Sequence, residues 1–74
     1  MTAEELKLTL DRIGITPRDL SLIADVTERQ VRGWRTGTSP VPRLVEMTLL
    51  AMNSGEISLD FVTNFVEGKL RSQV

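Results

Sequence analysis

The chain contains neither histidine nor cysteine. Without cysteine there is no disulfide framework and no thiolate metal site. The commonest general base and the strongest thiol nucleophile are missing as well. No glycine-rich phosphate loop or cluster of metal-ligand spacing is visible, and the carboxylates fall on helix exteriors and termini, where they serve solubility and capping. These absences predict a protein that is not an enzyme and uses no metal or cofactor. Long hydrophobic runs are also lacking: the longest is too short to cross a bilayer. No charged-then-apolar leader opens the sequence, so a cytoplasmic protein is expected, with no membrane partner and no small-molecule ligand evident. Strand alternation, internal repeats and low-complexity tracts are absent too.

What is present fits one domain over residues 1–74. A chain of 74 residues buries only about 60% of its unfolded surface and gains from oligomerisation. Its net charge is −1, which at first sight argues against a nucleic-acid partner. The distribution says otherwise. Residues 28–43 hold Arg29, Arg32, Arg35 and Arg43 against Glu28 alone, a segment of +3 that leaves −4 for the rest. A local positive face in an acidic protein is sufficient to attract phosphate, although a solvated helix face accounts for the same clustering.

Caps mark five helices. Thr2 with Glu5 forms a capping box that opens a helix to about Ile13, with Leu6, Leu10 and Ile13 on one stripe and Gly14 as a left-handed stop. Thr16 caps a second helix, with Pro17 at its first position and Asp19 at its positive end. Leu20, Ile23 and Ala24 are its buried side. After the short turn Asp25-Val26, Thr27 caps a third helix whose inward side is Val31 and Trp34, and Gly37 closes it. Thr38–Pro42 is a stiff loop, and Pro42 is placed to open a fourth helix through about Met52. Ser58 caps a fifth, running to about Leu70. The expected fold class is all-α.

The informative constellation is the pair 17–24 and 28–36, two short helices separated by a tight turn. Such a turn forces a steep crossing and lets the second helix project into a major groove. With Val31 and Trp34 inward, Arg29, Arg32, Gly33 and Thr36 share the opposite side. Arginine can bridge guanine O6 and N7, a contact worth about 1–3 kcal/mol of discrimination. Gly33 costs roughly 1 kcal/mol relative to alanine within a helix. It signals either close approach of DNA or ordinary tolerance in a short helix. Glu28 suits the helix dipole and can also accept from cytosine N4. The candidate base contacts are Glu28, Arg29, Arg32, Gly33 and Thr36. The candidate phosphate contacts are Gln30, Arg35 and Thr38, with Arg18 and Arg43 at helix N-termini.

From Thr16 through Gly37 the sequence Thr-Pro-Arg-Asp-Leu-Ser-Leu-Ile-Ala-Asp-Val-Thr-Glu-Arg-Gln-Val-Arg-Gly-Trp-Arg-Thr-Gly resembles, without a gap, the helix-turn-helix of the Cro/phage-repressor (XRE-like) family. The resemblance covers roughly residues 3–53 and includes Ser39-Pro-Val-Pro42. It implies a five-helix lambda-repressor-like domain, with Leu20, Val26, Val31 and Trp34 in the core. It also implies that Glu28, Arg29, Arg32 and Gly33 read bases, and that Arg18 touches backbone phosphate. The protein is then expected to be a dimeric transcriptional repressor on a double-stranded DNA operator, in a bacterium, phage or mobile element. Three positions depart from the pattern: Ser21 replaces alanine at the helix crossing, Asp25 the turn glycine, and Arg35 a common glutamate.

The fifth helix carries more apolar residues than one domain face needs. Leu59, Val62, Val66 and Leu70 form a stripe, and Phe61 and Phe65 widen it well beyond the usual band. With Gly68 permitting close approach, residues 56–74 are read as a homodimerisation helix, placing two reading helices about 34–36 Å apart. The alternative has both phenylalanines folding back onto helices one and four. Leu8 and Leu22 fall on polar sides, either as scattered exposed leucines or as part of a protein-binding patch. A protein-interaction module, an antiactivator or antitoxin on the same scaffold, is the competing function, since fold alone does not fix it.

Overall fold

The computed structural model describes the backbone of residues 1–72 and the side chains of residues 1–68. Five helices follow one another, α1 (Ala3–Ile13), α2 (Pro17–Ala24), α3 (Glu28–Thr36), α4 (Arg43–Ser54) and α5 (Leu59–Ser72), with no strand among the described residues. The architecture is all-α.

Local hydrogen bonds fix where the first three helices begin and end. Each starts at a threonine whose hydroxyl accepts from the backbone N–H three residues on, while that residue's side chain accepts from the threonine N–H. The pairs are Thr2 with Glu5, Thr16 with Asp19, and Thr27 with Gln30. Substituting such a cap typically costs about 1 kcal/mol. Each helix ends on a left-handed residue: Gly14, Asp25 at φ 56°, and Gly37. Asp25 thus adopts a left-handed conformation that favours glycine, at a cost that aspartate bears better than most residues.

At α4 the chain differs from the expectation. Pro42 takes the cap position with ψ 143° rather than the first helical position, and the helix continues past Met52 to Ser54. It stops only at Gly55, where φ reaches 83°. Asn53 and Ser54 remain helical, and Ser54 Oγ donates to the Ala51 carbonyl. Ser58 caps α5 as expected, its hydroxyl accepting from Phe61 N–H at 3.0 Å.

The core gathers one side of every helix: Leu6 and Leu10, Leu20, Val31 and Trp34, Leu49 and Met52, and Val62, with Ile15 from the first turn. Fully burying a side chain such as Leu6, Leu20, Leu49 or Val31 contributes roughly 1.5–3 kcal/mol each. Ile13, Ile23, Ala24, Val26 and Val66 are half-buried around this centre. Leu70, assigned to the same stripe of α5, lies outside the described side chains. Ser21 is buried at the α2 crossing, where its hydroxyl donates to the Arg18 carbonyl at 2.6 Å. Ser21 therefore introduces no unsatisfied polar atom there. α3 packs on α1 and α2, α1 also packs on α4, and α5 lies against α2. With its inner side held by two helices, α3 keeps its outer side open.

Candidate nucleic-acid interface

Burial along α3 alternates as a helix held on one side requires. Val31 and Trp34 are buried, whereas Arg29, Arg32 and Thr36 are exposed and Gly33 is half-exposed. These four residues lie within one arc of about 100° at the helical repeat. Together with Gln30, Thr38 and Ser39 they line a single concavity of about 480 Å³. Among the described residues neither Arg29 nor Arg32 enters an ion pair, so both guanidinium groups keep their full donor capacity toward solvent.

The loop after α3 forms the rest of the wall. Ser39 N–H donates to the Gly33 carbonyl at 3.1 Å, folding the chain back over the end of the helix. A Cβ built on Gly33 would stand 3.1 Å from Ser39 Oγ and 3.4 Å from Ser39 Cβ. The missing side chain therefore accommodates the protein's own loop, a reason that the helix pattern by itself did not supply. Thr36 Oγ1 lies 2.6 Å from Thr38 Oγ1 and 3.0 Å from the Arg32 carbonyl. These contacts pin the loop to the last turn of α3. Ser39 joins the site by this fold-back and was not among the residues expected from sequence.

The other candidates are distributed around this centre. Glu28 and Arg18 stand outside the concavity, with Arg18 Nε 4.0 Å from Glu28 Oε1 and both side chains well exposed. That long contact spans the starts of α2 and α3 and is worth little by itself. Gln30 is divided between two tasks: its carbonyl oxygen accepts from Thr27 N–H at 3.0 Å, leaving the amide N–H groups for a partner. Arg35 is half-buried, and Arg43 is exposed at the start of α4. Neither borders the concavity.

No family model, curated protein or solved structure matches this chain.

Two apolar surfaces lie elsewhere. On α5, Phe61 and Phe65 are 65% and 61% exposed, so neither folds back onto helices one and four as the alternative reading required. A Cβ on Gly68 would meet open space. On α4, Leu44, Met47 and Leu50 are exposed at 76%, 59% and 48%, along one face. That second surface was not anticipated. Leu8 and Leu22 are exposed as expected, and Leu22 borders a groove between α2 and α5 with Leu59 and Val66. No described helix is long and apolar enough to cross a membrane.

Proposed function

We propose that this chain is a sequence-specific, helix-turn-helix DNA-binding transcriptional regulator of the Cro/phage-repressor kind, reading the major groove with α3. The observation that carries the reading is the pair of exposed arginines, Arg29 and Arg32, aligned on the side of α3 opposite Val31 and Trp34 and, among the described residues, in no ion pair. A helix braced from behind with donors in front suits a groove that admits one helix and presents guanine acceptors. Arg18 and Arg43, at the starts of α2 and α4, supply sequence-independent attraction to phosphate. The exposed phenylalanines of α5 favour a two-fold homodimer, in which a repressor meets a partly palindromic operator. Selection of bound duplexes from a random pool at moderate salt tests the reading. Enrichment of a defined sequence is expected, and a pool that emerges unenriched overturns it.

A second reading, a protein-interaction module such as an antitoxin or antiactivator, draws support from Leu44, Met47 and Leu50 on α4. An apolar helix face in an acidic chain suits a protein partner. A stable heterocomplex that survives substitution of Arg29 and Arg32 would favour it. An antitoxin that represses its own operon satisfies both readings.

A further inference from the structure

The two hydroxyls that close the α3 concavity have a hydrogen-bond polarity of their own. Thr36 Oγ1 lies 2.6 Å from Thr38 Oγ1 and 3.0 Å from the Arg32 carbonyl oxygen. A hydroxyl has one proton and two lone pairs, and a carbonyl only accepts. One arrangement satisfies both contacts together: Thr38 donates to Thr36, and Thr36 donates to Arg32. Both protons then point back along the protein, and lone pairs are what the pair offers to a partner. Phosphate oxygens only accept, so this pair is poorly matched to the DNA backbone, against the expectation for Thr38. In the major groove the hydrogen-bond donors are amino groups, N6 of adenine and N4 of cytosine. Arg29 and Arg32, on the same concavity, are donors only and suit guanine.

We infer that the Thr36–Thr38 hydroxyl pair accepts a hydrogen bond from an exocyclic base amino group and thereby specifies adenine or cytosine at one position beside the arginine-read guanine. The inference rests on the DNA-reading role proposed above. It divides the concavity into a donor part, Arg29 and Arg32, and an acceptor part, Thr36 and Thr38. A base step presenting acceptors and an amino donor side by side is complementary to that division, whereas thymine and the phosphate backbone offer the second part nothing to accept.

The test starts from the sequence enriched by the unaltered protein. Each adenine in it is replaced by purine, and each cytosine by the analogue lacking the 4-amino group. Binding to these duplexes is then measured for the unaltered protein and for Thr36→Val and Thr36→Ser. At one position, amino-group deletion should weaken binding about tenfold, the loss of one hydrogen bond left unmade. Thr36→Ser, which keeps the hydroxyl, should retain that sensitivity. Thr36→Val, which keeps the branched shape, should lose it while preserving the preference for guanine. The analogue series on the unaltered protein needs no variant to fold. If no position of an enriched site responds to amino deletion, or Thr36→Val responds as strongly as the parent, the inference falls and DNA reading stands. An unenriched pool overturns both.

Discussion

Ser39 crowds the space that a side chain on Gly33 would enter, its Oγ 3.1 Å from the position of the absent Cβ and its N–H bonded to the Gly33 carbonyl. Helix propensity and loop packing therefore oppose each other at one residue. Gly33→Ala gains up to about 1 kcal/mol of propensity but pushes on the Ser39 side chain. Its net effect on stability is expected within about 0.5 kcal/mol of zero. In a Ser39→Gly background the same change should be more stabilising, because the obstructing atoms are gone. Urea unfolding of the four proteins in this cycle checks the coupling. Strict additivity would rule out the packing explanation.

The two arginine classes should separate under mutation. Arg32→Ala is expected to cost about 1–3 kcal/mol on the enriched site and to relax preference at one base pair. Arg43→Ala should weaken every duplex similarly and lower the salt slope by about one. Gel shifts over a salt series distinguish the two. Identical base preferences in parent and Arg32→Ala would exclude Arg32 as a reader.

Phe61 and Phe65 bear on assembly. Changing both to aspartate should leave the helical signal intact, since both side chains are already mostly exposed. Sedimentation should then show half the parent mass, with cooperative DNA binding lost. A folded double variant of unchanged mass would place the dimer contact elsewhere, and the α4 face at Leu44, Met47 and Leu50 is the next surface to alter.

Acid sensitivity has one identifiable source at the start of α1. Hydrogen bonds from the Thr2 backbone N–H and then the Thr2 side chain hold the Glu5 carboxyl below the usual glutamate range. The unfolded chain then binds a proton more readily than the folded one, so this group stabilises the fold above the ordinary glutamate pKa. That contribution declines as pH falls through the lowered folded value. Glu5→Gln should flatten this part of the stability profile. Melting temperatures between about pH 6 and pH 2 check it, and parallel curves would assign the acid response to other carboxyls.

The helix starts and stops could be read from sequence because they depend on atoms three or four residues apart. Thr16 with Asp19, Thr27 with Gln30, and the stops at Gly14 and Gly37 all act at this range. The arginine side of α3 was legible for a similar reason, since Val31 and Trp34 define its inner side. Helix α4 was less transparent. Leucines, methionines and valine occur on more than one of its sides, so period alone could not tell that Leu49 is buried while Leu44 is exposed. Thr36 and Thr38 were both legible as candidates, but the hydrogen bond between them and the approach of Ser39 were not, because they arise where a loop folds back and no repeat in the sequence encodes that approach.

The capping boxes and left-handed stops around α2 and α3 have a calorimetric consequence. The connection between the two helices is fixed by Thr27, Gln30 and Asp25 through bonds already present in the isolated chain. A partner arriving at α3 meets an ordered surface, so little ordering entropy remains to be lost on association. The heat capacity change should then reflect buried contact area alone, without the larger decrease that accompanies folding upon binding.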